Sequence, residues 1–254
     1  MLRAALVVLG YFGFAAGVVS CGHASARSPV VPGGFVRLAS DLTVRQLAPH
    51  VFVVTHEEPA PANSVVVETA DGTLVLVGSP YTPAATRVLL DWLAEQFGER
   101  KRVAINTHFH DDAGIGGNPV FREMKIPIYG SDLTVRLLAE RRPGTVSPDR
   151  VFPLAAGADL EFGEGVRVAF PGPGHTRDNV VVHFPRQRLL VGGCLLRAGD
   201  QLGNIADADL ANWDSSVRAL ERYRIEWLVP GHGERFDTGL IAHTLAVLRT
   251  ARGD

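Results

Sequence analysis

The segment Asn106-Thr107-His108-Phe109-His110-Asp111-Asp112-Ala113 sets two imidazoles and a carboxylate at i, i+2 and i+4. In an extended chain, side chains at those positions leave on one side. His108, His110 and Asp112 together suit a borderline-soft divalent metal. Gly114, Gly116 and Gly117 follow at once and let the backbone turn closely around such a site. Alone, the segment is also what a polar loop with incidental histidines would look like. Three further segments weigh against that reading. Pro171-Gly172-Pro173-Gly174-His175-Thr176 holds a histidine in a rigid loop. Leu190-Val191-Gly192-Gly193-Cys194 ends in a thiol, and Pro230-Gly231-His232-Gly233 holds another histidine. A lone histidine in a glycine-rich turn is ordinarily a turn residue. Three such places, each where a strand gives way to a loop, are hard to explain by packing alone.

The elements that must bring these loops together follow from patterning. Strands are predicted at 51–55, 64–68 and 73–77 from their β-branched content, with Asp71-Gly72 as a hairpin turn. Residues 82–97 form an amphipathic helix with Val88, Leu89, Trp92, Leu93 and Phe97 on one face, ended by Gly98. A strand at 102–106 runs into the histidine cluster. Helices are expected at 118–124 and at 131–142, the latter capped by Ser131. In the second half, strands are expected at 166–170, 180–184, 189–191 and 227–230, with helices at 210–223 and 238–252. Hairpins come first and β–α alternation follows. The expected α/β fold is two mixed sheets packed face to face with helices outside, a four-layer αβ/βα sandwich.

The whole chain is compatible with this. It has 254 residues, 46% apolar, and a net charge of −2 with both signs interspersed. No basic run points to nucleic acid and no acidic tail is present. The N-terminus reads differently. Arg3 precedes an apolar run from Ala4 to Val19 and then small residues, the three-part form of an export signal. A membrane span needs about 20 apolar residues, so this one is short. Ala24-Ser25-Ala26 suits cleavage after residue 26. Val18-Val19-Ser20-Cys21 resembles a lipobox, the favoured reading, which would end the signal at residue 20 and attach a lipid to Cys21. Residues 27–44 contain Ser, Pro and Gly and read as a tether, leaving 45–254 as the folded domain. With Cys21 lost or lipidated, Cys194 is left alone in an oxidising compartment, the periplasm. No internal disulfide is then possible, and a lone thiol there is protected only by burial or by a metal.

The order His-x-His-x-Asp, His175, Cys194, His232 resembles the subclass B1 metallo-β-lactamases. So do the blocks Pro173–Asn179, Gly192-Gly193-Cys194 and Gly203–Ala208. The resemblance runs from about Arg45 to Leu248. Many other hydrolases of that superfamily have a histidine after the motif aspartate and an aspartate at the thiol position. Ala113 and Cys194 stand there instead, against a glyoxalase-II-like site. The resemblance implies the metallo-β-lactamase fold and two Zn2+ per chain. His108, His110 and His175 would hold the first, and Asp112, Cys194 and His232 the second. It implies hydrolysis of β-lactam antibiotics by a zinc-bound hydroxide, with Asp112 orienting the nucleophile. Asn204 would hold the developing oxyanion, and Arg197 would grip the substrate carboxylate. A soluble or lipid-tethered periplasmic monomer is expected. Two departures bear on substrate. Gly78 stands where relatives usually carry an aspartate that braces the metal loop, a role left to Ser79 or a water. The loop 57–62 is short and lacks an apolar tip. They favour, as the alternative, a zinc hydrolase of the same fold acting on another cyclic amide or ester. A non-catalytic zinc-binding protein is the third reading.

Overall fold

A computed structural model describes residues 33–155, 159–163 and 165–253. The export signal and its cleavage sites lie outside the described residues. Two sheets face each other. The first has eight strands in sequence order: β1 (Phe35–Ala39), β2 (Leu42–Ala48), β3 (Val51–His56), β4 (Ala62–Glu68), β5 (Leu74–Val77), β6 (Arg102–Ile105), β7 (Ile128–Ser131) and β8 (Arg150–Phe152). It is antiparallel as far as β5 and parallel thereafter. The second comprises β9 (Asp159–Phe162), β10 (Val166–Ala169), β11 (Val181–Phe184), β12 (Leu189–Gly193) and β13 (Trp227–Pro230), with only β12 and β13 parallel. The expected four-layer αβ/βα sandwich is the fold observed.

Strand periodicity explains the layers. Val51, Val53, Val65, Val67, Val75 and Val77 point between the sheets, where they meet Val166, Val168, Val182, Phe184 and Val191. The alternate residues Phe52, Val54, Val66, Leu74 and Leu76 point outward, under helix α1 (Pro83–Phe97). Both faces are covered, so these strands read as unbroken apolar runs rather than as alternation. Helix α1 starts where Thr82 Oγ1 accepts the Ala85 N–H at 3.2 Å, and stops at Gly98. Short helices α2 (Asn118–Glu123) and α3 (Asp132–Arg141) follow. On the far side, Val181, Leu190 and Leu228 pack under α4 (Trp213–Arg218) and α5 (Leu240–Arg252).

Some sequence expectations are corrected. Residues 35–44, expected to belong to a tether over 27–44, are folded into the first sheet. There, β1 and β2 pair antiparallel and bury Leu38, Leu42 and Val44 in the layer under α1. The Ser, Pro and Gly residues that suggested a tether lie before and between short alternating runs that do form strands. The helix expected over 210–223 is broken into α4 and a 3-10 turn, Ala219–Arg222. Strands β7, β8 and β9 were not expected; each has only three or four residues, too few to show a period.

Candidate metal centre

Parallel pairing is what gathers the donors. Val77 sits beside Ile105, so β5 and β6 end together; Gly193 sits beside Pro230, so β12 and β13 do too. Hydrogen bonds across the sheets fix the two ends to each other. Asn63 Nδ2 donates to the Gly233 carbonyl at 2.7 Å, and Val180 N–H donates to the Thr107 carbonyl at 2.8 Å. At Gly231 a Cβ would lie 2.4 Å from Cys194 Sγ, so only glycine lets the end of β13 approach the thiol this closely.

After β6 the chain stays extended through His110 (φ −84°, ψ 160°) and then makes a wide turn over Asp111–Ile115 with Ala113 at φ 50°. Gly78 supports that turn by having no side chain. Its φ is +68°, and a Cβ there would lie 2.1 Å from the Ala113 carbonyl oxygen. The aspartate expected of relatives at this position has no room. Neighbouring groups brace the turn instead. Thr107 Oγ1 donates to the Ala113 carbonyl at 2.8 Å, and Asn106 Nδ2 to that of Gly114 at 3.2 Å. Ser79 Oγ accepts the Gly117 N–H at 2.7 Å.

Five of the six expected ligands fall into two overlapping groups. His108, His110 and His175 each bring one donor atom within 4.8 Å of the others, and so do His108, Asp112 and Cys194. His110 Nδ1 lies 3.2 Å from His175 Nε2. Cys194 Sγ lies 3.7 Å from Asp112 Oδ2, and His232 Nε2 only 2.8 Å from that same oxygen. His232 thus reaches the centre through Asp112, while His108 is the histidine nearest both groups.

The hydrogen bonds fix which nitrogens carry lone pairs. The Thr107 hydroxyl hydrogen goes to Ala113, so its oxygen accepts from His108 Nδ1–H at 3.0 Å. That leaves His108 Nε2 a bare lone pair, buried without a partner. His110 Nε2 donates to Asp207 Oδ2 at 3.0 Å, leaving the Nδ1 lone pair facing His175. His232 Nδ1 donates to the Pro61 carbonyl at 2.7 Å, so Nε2 faces the Asp112 carboxylate. An orphaned buried lone pair where imidazole, carboxylate and thiol donors converge is what a metal ion relieves, and the donor set fits zinc.

The electrostatics agree. Burial pushes His108 well below the usual imidazole range. Burial, then the neighbouring His110, pushes His175 down to about 3. Both are therefore held neutral, the form that ligates. Burial would raise Asp112, but the His232 hydrogen bond and the surrounding histidines outweigh it and hold it below the usual carboxylate range. Burial, with Asp112 beside it, pushes the Cys194 thiol up. A divalent cation reverses that shift, because a coordinating thiol is deprotonated outright.

The other two expected site residues differ. Arg197 is half-buried and close enough to Cys194 and Asp112 to feel both charges; its Nε donates to the Gln201 carbonyl at 3.3 Å. Asn204 is exposed, and its Oδ1 accepts the Ala206 N–H at 3.1 Å, closing its own turn. Sequence reasoning passed over Asp207, Thr107 and Tyr81. Asp207 lies in the Gly203–Ala208 block but was given no role. The Tyr81 phenol is raised by burial and by the charges of Asp112, Cys194 and Asp111, and its ring packs against His56.

Fold and donors together define a metal-binding αβ/βα sandwich whose centre mixes imidazole, carboxylate and thiol. A sequence profile of the metallo-β-lactamase superfamily matches residues 58–232, and the chain belongs to that family. It is 37% identical over 218 residues to the "Metallo-beta-lactamase type 2" of Bacillus sp. (strain 170), covering 82% of each chain. It is 34% identical to the Pseudomonas aeruginosa protein of the same name, covering 80% of this chain and 83% of that one. Among solved structures, a metallo-β-lactamase from Pontibacter korlensis superposes with a TM-score of 0.73 at 34% identity, covering 82% of this chain and 99% of that one. The relationship expected from the sequence is borne out.

Proposed function

We propose that this protein is a two-zinc hydrolase that opens the β-lactam ring of penicillins, cephalosporins and carbapenems. The observation that carries the reading is the convergence of His108, His110, His175, Asp112 and Cys194, with the His108 Nε2 lone pair buried and unpartnered. His108, His110 and His175 would hold the first zinc, and Asp112, Cys194 and His232 the second. When bound, the metals supply activation of a water near neutral pH and polarisation of the lactam carbonyl. The residues do the rest. Asp112, ionised between Cys194 and His232, orients the attacking water. Three neutral ligands at one site and two anionic ones at the other leave the centre positive, and Arg197 adds to it. That field favours a substrate bearing a carboxylate, which a guanidinium grips with two parallel hydrogen bonds. Asn204 would serve the oxyanion only after giving up the Ala206 N–H, which makes it the least supported of these roles.

A second reading keeps the fold and the metals but changes the substrate to another cyclic amide or ester. Residues 57–61 are exposed and carry no apolar tip to close over a bicyclic lactam. Hydrolysis of a carbapenem by the zinc-loaded protein, with and without chelator, separates the two. Rapid chelator-sensitive turnover establishes the lactamase. Absence of turnover by protein holding two zincs leaves the second reading. Export to the periplasm as a monomer, either soluble after cleavage at Ala26 or tethered through Cys21, completes the proposal.

A further inference from the structure

Helix α3 touches every loop that brings a donor from the first sheet or flanks His175. Thr134 Oγ1 donates to Asp178 Oδ2 at 2.7 Å, three residues beyond His175. Leu137 and Leu138 pack on Phe109 and Ile115, the apolar residues of the metal loop. At the C-terminal end of the helix, Arg141 Nη1 donates to Asp207 Oδ1 at 3.1 Å, and Asp207 in turn holds His110. Arg142, the next residue, donates to the Phe109 carbonyl at 3.4 Å and to the Asp111 carboxylate.

The contact with Asp111 has a specific consequence. Asp111 and Asp112 are adjacent carboxylates on a turn with a non-helical, left-handed residue at Ala113. Asp112 points to Cys194 and His232, while Asp111 is turned away onto Arg142. Released from the guanidinium, Asp111 would be a free anion one residue from the ligand. Coulomb attraction would draw it towards the same divalent ions.

We propose that Arg142 is a positioning residue that holds Asp111 off the metals, so that Asp112 is the one carboxylate this turn supplies, with Arg141 fixing the other side through Asp207. This rests on the two-zinc reading. Its test is metal release rather than turnover, so it stands or falls separately from the substrate.

The measurement is the rate of zinc loss to excess chelator from the holoprotein, together with the absorption spectrum of the cobalt-substituted protein. Misplacing a ligand commonly costs about 10–100-fold in metal affinity, which outweighs the small Coulombic gain from one part-exposed carboxylate. Arg142→Met should therefore speed release about tenfold and alter the cobalt spectrum. Adding Asp111→Asn to Arg142→Met removes the competing anion and should return both towards the parent. Arg142→Lys, which keeps the charge but not the fork that spans Phe109 and Asp111, should fall between. It also serves as the readout if the methionine variant does not fold. Unchanged release in these variants overturns the proposal. So does faster release that Asp111→Asn fails to repair, because that would make Arg142 a packing residue only.

Discussion

Gly78 offers a sharp test of how the metal loop is built. Gly78→Ala adds one methyl to a residue at φ +68°, with the new carbon 2.1 Å from the Ala113 carbonyl oxygen. The left-handed backbone costs an L-residue about 1–2 kcal/mol. The overlap is with backbone on a turn already held by Thr107 and Asn106, so it must be relieved by moving Ala113 or by strain of a further ~1–3 kcal/mol. A total near 3 kcal/mol corresponds to a melting temperature lower by roughly 6–12 °C for a domain of this size. Ala113 adjoins Asp112, so zinc affinity should fall with stability. Thermal melts of zinc-loaded and chelated protein, with zinc competition, make the comparison. Gly78→Asp should do at least as much harm as alanine, even though relatives usually carry aspartate there. An unchanged melting temperature and zinc affinity in Gly78→Ala would show that the turn is not packed against Gly78, and would refute the account given of it.

Cys194→Ser should lower zinc content from two per chain towards one and reduce hydrolysis; undiminished metal content would remove the thiol from the centre. Arg197→Ala should chiefly raise KM for carboxylated lactams with kcat little changed, and a constant kcat/KM would place the substrate grip elsewhere. The metal-free protein should lose stability as pH falls. His175 is pushed from 6.5 down to about 3 in the folded state, so between those values the unfolded chain binds the extra proton. Its contribution is present above pH 6.5 and by pH 5 is reduced by about 2 kcal/mol; His108 shifts the same way and adds to it. Urea midpoints of chelated protein at pH 7 and pH 5 measure this, and equal midpoints would mean the histidines are not buried neutral.

Much of the centre was legible because its chemistry is written in residue types at short spacing. His108, His110 and Asp112 share a side of an extended segment, and His175, Cys194 and His232 each follow a strand that patterning could locate. The core strands were equally clear, since valine runs such as 65–67 leave little alternative. What stayed hidden depends on contacts between distant segments. Asp207 reaches His110 across 97 residues of sequence, and Arg142 reaches Asp111 across 31. Nothing local distinguishes that aspartate or that arginine from a solvated surface charge. The sign of the Gly78 departure was hidden for the same reason. From the sequence it is a missing carboxylate; from the structure it is the space that the Ala113 carbonyl occupies. Strands β1 and β2 were obscured by the composition around them.

The donors are divided between the two halves of the sandwich. His108, His110 and Asp112 follow the first sheet, while His175, Cys194 and His232 hang from the second. Zincs held as proposed would therefore each tie one sheet to the other at the end where strands β5, β6, β12 and β13 stop. On the two-zinc reading the ions would act as removable cross-links at that end of the sandwich. A ligand that binds only the folded state stabilises it by about 4 kcal/mol at a thousand times its dissociation constant. With two such ions, metal supply would govern how long the folded enzyme survives as well as how fast it turns over. Zinc starvation would then remove the protein itself, through unfolding and proteolysis, along with its activity.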